Sequence, residues 1–378
     1  MKRPFALIGI TYLSVQAALF YLESDLAAAI LTAVCFAGTI IVLFILKNRN
    51  LRHTVLGFCL TAAFASTIFS GYNIFVKQPI VDKYSEREIY VTATVLEQPT
   101  VQYDTYRYLI ETDSINGKIE KLKICLSTIN ELNVEEFDRI SCVLPLKECT
   151  KSQMIADGAF LQASVNKNFA YIVKKTDDKP LYYQAVKIRE NFADSFEQNM
   201  SQDCASLCRA VLLGEKTALS QEIQNDFTRC GVSFLIVVSG MHLAIISSFV
   251  FLCIKKIIKN RVLRSMIMLM CAFSFMAVTG FAPSVVRAGV MLAVVYSGKM
   301  FMRKGDSLNS LGIAALILTV PNPTAVADVG MLLSFTATLG IILWARKISV
   351  DISHILGNLI TVIFDYQILR KPLKILSL

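Results

Sequence analysis

The sequence predicts a mainly α-helical, polytopic membrane protein, with about eight transmembrane helices and one small all-β, OB-like domain outside the membrane. Three observations predict it. Hydrophobic residues make up 54% of the 378 and charged residues 18%, with mean hydropathy +0.53, whereas a soluble chain is about a quarter charged. The apolar residues fall in long runs separated by charged punctuation. In a central stretch the pattern changes to short alternating runs.

A helix needs about 20 apolar residues to cross roughly 30 Å of hydrocarbon, and lipid offers its backbone no other partner. Candidate spans are 5–21, 26–46, 54–76, 232–254, 265–282, 284–299, 308–320 and 329–345. The first is expected to be retained rather than cleaved, because two more follow closely and no cleavage site is evident. The short run 308–320 fits either a half-helix lining a cavity or a full span with wider edges.

Basic residues set the expected orientation. Fifteen Lys/Arg, from Lys2 and Arg3 through the 255–264 cluster to Arg346 and Lys347, fall on one side of these spans. The short loops on the other side (23–25, around Pro283, and 321–328) hold none. The basic side is therefore expected in the cytoplasm, with the N-terminus inside and 77–231 extracytoplasmic. Segment 77–231 holds 19 Lys/Arg and 23 Asp/Glu, so the net +9 of the chain comes from cytoplasmic loops. It records orientation rather than nucleic-acid binding.

Strands are expected at 89–96, 106–112, 120–126, 139–145 and 160–173, rich in Val, Ile and Tyr and divided by Pro99, Asn116-Gly117 and Asp157-Gly158. Five strands in so short a stretch suit a small closed barrel, OB or SH3-like. Tyr106, Arg107 and Tyr108 are candidate OB-surface contacts for a single strand; cross-strand aromatic packing is the plainer reading. The domains expected are 1–76, N-terminal transmembrane helices; 77–178, the β domain; 179–231, an amphipathic helical connector; and 232–378, a second transmembrane domain. Of ten cysteines, Cys125, Cys142, Cys149, Cys204, Cys208 and Cys230 face outside, where disulfides are chemically open.

Three motifs then stand out in order. They are Leu212-Leu213-Gly214 followed by Ser239-Gly240-Met241-His242; the segment 280–291 with Pro283, Ser284 and Arg287; and Pro321-Asn322-Pro323 leading to Asp328-Val329-Gly330 and Leu333-Ser334-Phe335. These resemble the signature of the ComEC family, inner-membrane channel proteins of bacterial DNA uptake. The resemblance covers essentially the whole chain. It implies a bacterial cytoplasmic-membrane location and makes 232–378 a competence-type channel domain. The implied partners are single-stranded DNA, the lipid bilayer, a DNA receptor and a cytoplasmic motor, with a homo-oligomer a further candidate. There are two departures. Phe234 stands where the family usually has a His, so that His's role is not carried over. Full members also continue into a metallo-β-lactamase-like domain, so the chain is expected to be truncated. Its three histidines, His53, His242 and His354, form no two-metal cluster. No catalytic residue, metal or cofactor is expected.

The candidate DNA path comprises Arg287, Ser239, Gly240, His242, Asp328 and Ser334; the motif residues are Leu213, Gly214, Pro283, Ser284 and Pro323. A guanidinium inside a span is costly unless paired or wet, so Arg287 either meets phosphate or reaches back to the outer interface. Ser239, Gly240 and His242 are placed in mid-span, as pore lining or polar glue between helices. Asp328 reads as a helix cap, with an ion pair to Arg287 as the second reading. The sequence has no Walker motif, so a passive conduit for single-stranded DNA is the first function expected. A small-solute transporter and an inactive remnant of a DNA channel are the alternatives.

Overall fold

The structure, a computed structural model, describes residues 3–22, 30–39, 48–97, 99–102, 105–165, 170–175, 182–215, 219–302, 305–345 and 348. The expected span 26–46 is described only at 30–39. Two compact units are formed, Met1–Leu332 and Leu333–Leu378.

The alternation read from the sequence builds the barrel. In β1 (Arg87–Val95) Ile89, Val91, Ala93 and Val95 turn inward while Glu88 and Tyr90 stay exposed. The other strands are β2 (Thr100–Gln102), β3 (Thr105–Ile115), β4 (Lys123–Thr128), β5 (Arg139–Glu148), β6 (Leu161–Val165) and β7 (Tyr171–Lys174). β1 pairs with β3, β3 with β4, β4 with β6, β6 with β5, and β5 returns to β1. Among the described pairings only β4–β6 is parallel. This closed five-stranded path is an OB-like barrel. Asn116 and Gly117, both at positive φ, turn the chain between Ile115 and Lys118. The single strand expected at 160–173 divides into β6 and β7. Ile110, Ile124, Leu126, Ile140, Leu144 and Leu161 fill the core with their inward faces.

The rest of the described chain is mostly helical: α1 (Pro4–Leu22), α2 (Ile30–Thr39), α3 (Arg49–Tyr72), α4 (Gln78–Tyr84), α5 (Ser152–Ala156), α6 (Tyr183–Asn199), α7 (Gln202–Cys208), α8 (Gln221–Arg229), α9 (Gly240–Ile257), α10 (Arg261–Val278), α11 (Pro283–Met300), α12 (Ser307–Thr319) and α13 (Val329–Ala345). Among the described residues four helices are long and apolar enough to cross a membrane: Pro4–Leu22, Leu51–Tyr84, Gly240–Ile257 and Arg261–Val278. The expected eight spans are thus matched at four; α2, α12 and α13 are apolar but shorter. The second of the four joins α3 to α4 through a π turn at Asn73–Lys77 and carries Tyr84 into the barrel core.

α1 packs on α3 and on α12. It meets α12 backbone to backbone: a Cβ on Gly312 would collide with the Phe5 carbonyl oxygen. The barrel touches the helices through α5, which lies in the loop between β5 and β6. The Thr324 hydroxyl donates to the Ile155 carbonyl at 2.9 Å and the Asn322 amide donates to the Ala156 carbonyl at 2.6 Å. The ten cysteines are free.

Candidate functional site

The sequence motifs meet at the end of the helices that faces the barrel. Gly214 follows a π turn over Arg209–Leu213 at φ +87, a backbone state that suits glycine. A Cβ there would lie 3.5 Å from the Thr279 carbonyl and 3.6 Å from Val238. Leu213 is buried below it. The Ser284 hydroxyl donates to the Val238 carbonyl at 2.7 Å, tying the second motif to the first. Pro283 opens α11 at its first turn, where a missing N–H costs nothing.

Ser239, Gly240 and His242 are not in mid-span. Residues 233–236 form a 3-10 turn, Ser239 is the N-cap of α9, and its N–H donates to His242 Nδ1 at 3.1 Å. The apolar run 232–239 misled the sequence reading; the Ser-Gly-x-His order is a capping arrangement for orphan helix donors. Gly240 lets α9 approach α11, since a Cβ there would sit 2.8 Å from that of Ala288.

Both readings of Asp328 hold. Arg287 Nη1 donates to Asp328 Oδ2 at 2.8 Å, and Asp328 Oδ1 accepts from the Gly330 N–H at 2.9 Å at the start of α13. Arg287 is 8% exposed, and its Nε lacks a partner among the described residues. Pro323 begins a buried 3-10 turn that presents Asn322 and Thr324 to α5. Ser334 lies half-buried on α13, in the second unit.

A cavity of about 270 Å³ opens beside this pair, lined by Gln153 and Asp157 from the barrel and by Phe281, Pro283, Arg287 and Asp328 from the helices. Burial, reinforced by the charge of Asp328, pushes the Asp157 carboxyl up to about 6. In the OB architecture the loop between the fourth and fifth barrel strands commonly contacts ligand. Here that loop carries α5 and Asp157, and it faces the helices.

Several residues of this junction escaped the sequence reading. Arg189 on α6 is buried between Glu136 of the barrel and Glu215, with Glu215 at 3.0 Å. Arg209 holds Glu215 at 2.9 Å and also pairs with Glu197. Gly280, at φ +66, leaves room for Arg189, whose Nη1 would be 2.9 Å from a Cβ. Phe137 of the barrel meets Tyr182 edge to face at 5.7 Å, and Tyr182 meets Phe281 at a tilt at 5.3 Å. A signal for Arg189 existed: it shares a helix face with Val186 and Ala193. A charge inside an apolar stripe marks a buried pair.

The candidate OB-surface contacts fare differently. Tyr108 is 1% exposed, and its hydroxyl accepts from the Leu132 N–H at 2.8 Å, so it is a core residue rather than a platform. Tyr106 is partly buried against the same core, and Arg107 is half-buried opposite Ser127. The alternation on β3 breaks at Tyr108-Leu109-Ile110, all buried, because two apolar clusters flank it.

A family described as "Competence protein" matches residues 211–373. ComE operon protein 3 of Bacillus subtilis (strain 168) is 24% identical over 191 residues, 50% of this chain and 24% of that protein. The chain thus spans about a quarter of the length of this relative. No solved structure matches.

Proposed function

We propose, from the competence-family match over residues 211–373, that the chain is a ComEC-type competence protein and a membrane component of the path that carries single-stranded DNA inward during natural transformation. The observation that carries the reading is Arg287, buried yet beside a cavity, held by Asp328 within the matched region. A phosphodiester that enters the cavity offers the guanidinium another anionic acceptor, so strand passage exchanges one ion pair for another. Ser239, Gly240, His242 and Ser284 shape the path by fixing where α9 and α11 begin. The start of α13, fixed by Asp328 and Gly330, extends it. The chain makes and breaks no bonds in this reading, and a separate motor supplies the drive.

In the same proposal residues 1–76, 77–178, 179–231 and 232–378 are the N-terminal helices, outer barrel, connector and channel domain. The basic loops lie in the bacterial cytoplasm. An outer DNA receptor delivers the strand, and copies of the chain assemble around the path. Deleting the chain in a competent host is expected to abolish or sharply reduce uptake of transforming DNA. Transformation at the undeleted level would sink the conduit reading.

A further inference from the structure

The opposite end of the helices carries charge that the conduit reading does not use. There α9 ends, α10 begins and α11 ends. Lys255, Lys256, Lys259, Arg261, Arg264 and Lys299 fall around this end, and between Asp226 and Asp328 the sequence holds a single acid, Asp306. That acid is engaged: Arg3 Nε donates to it at 2.8 Å, and it accepts from the Asn309 N–H at 3.1 Å to cap α12.

Two of the cations are gathered rather than spread. Arg264 of α10 and Lys299 of α11 lie over the same ring, Phe251 of α9, at 5.5 and 5.8 Å from its centroid. Lys299 also lies 4.4 Å from the Tyr296 ring. Among the described residues neither cation is ion-paired. Arg264 moreover sits near the N-terminus of an 18-residue helix, where the backbone dipole repels positive charge. Aromatic faces attract cations but do not neutralise them.

The surroundings select which anion. α9 and α10 are two of the span-length helices, so the joint between them lies at a membrane boundary. Leu252, Ile257 and Leu263 are exposed beside the cations. A ligand with a phosphate head and hydrocarbon tails matches both features; a nucleic-acid backbone matches only the first.

We propose that the ends of α9, α10 and α11 form a binding site for the phosphate headgroup of an anionic phospholipid, held by Arg264 and Lys299 over Phe251. The test is native mass spectrometry of the purified chain in mild detergent, with phosphatidylglycerol or phosphatidylcholine added. Wild type is expected to retain phosphatidylglycerol preferentially. The double variant R264Q/K299Q loses that preference by about tenfold or more, at roughly fivefold per cation. The control K255Q/K256Q, with equal charge loss, keeps it. Phe251→Leu retains every charge and weakens binding by about two- to fivefold, which covers the case of a misfolded double variant. Equal loss in the two double variants would reduce the site to diffuse attraction and overturn the proposal. Displacement of phosphatidylglycerol by a single-stranded oligonucleotide in place of lipid would overturn it in favour of a nucleic-acid phosphate.

Discussion

Arg287 and Asp328 sit 2.8 Å apart, with side chains 10% and 26% exposed. A buried pair of this kind is held by the cost of separating it. Arg287→Met or Asp328→Leu alone strands a charge and is expected to cost about 3 kcal/mol in unfolding measured in detergent. The double substitution is expected to cost much less than the sum. Additive losses would show that the two side chains are not coupled. Asp157 brings a pH dependence to the same cavity. Its folded-state value, about 6, lies above the ordinary 3.8. The fold therefore favours the protonated form, and that contribution is complete below about pH 4 and lost as pH rises through about 6. Thermal stability should fall across that window and the step should vanish in Asp157→Asn; a step that persists would assign it elsewhere. Glu97 is also pushed up, to about 7, by burial and by Asp157. It keeps more than a third of its surface in water, so screening weakens its share.

At the scale of elements, close approach decides how helices pair. α1 lies outside the region matched by the competence family, yet Gly9 and Gly312 bring its backbone against that of α12. The Ala6 N–H donates to Asn309 Oδ1 at 3.1 Å beside that crossing. Small residues let helix backbones approach where lipid supplies no hydrophobic drive between them. Gly312→Ala would place a Cβ inside the Phe5 carbonyl and is expected to destabilise by about 1–3 kcal/mol through overpacking, read as a lower melting temperature in detergent. An unchanged melting temperature would mean that α1 and α12 do not pack this way. α5 acts at the same scale: one turn of helix in a barrel loop, hydrogen-bonded to Asn322 and Thr324, joins the barrel to the helices.

At the scale of the molecule, charge distribution carries the proposed orientation. In that proposal the barrel and its connector lie on one side of the spans and the 255–264 cluster on the other. Single cysteines placed at 255–264 in a background without exposed thiols are expected to react with an impermeant reagent only after the membrane is opened. Labelling in intact cells would reverse the orientation. The same distribution separates two kinds of positive charge. Arg287 lies beside the barrel and is matched by Asp328, while Arg264 and Lys299 lie at the far end with no carboxylate partner among the described residues.

Much of this was legible in the chain itself. Period-two alternation gave the strands because a pleated strand exposes successive residues to opposite faces, and long apolar runs gave the helices because lipid admits little else. The motifs carried the family resemblance, since Gly214, Ser239, Pro283 and Asp328 mark helix ends, and helix ends obey local chemistry. What local chemistry cannot carry is contact between distant segments. Burial of Arg189 between Glu136 and Glu215, the docking of α5 on the 3-10 turn at Pro323–Ala327 and the crossing of Gly9 with Gly312 each join residues far apart in sequence. The apolar run before Ser239 shows the limit: hydrophobicity says that a segment avoids water, but only packing determines where its helix begins.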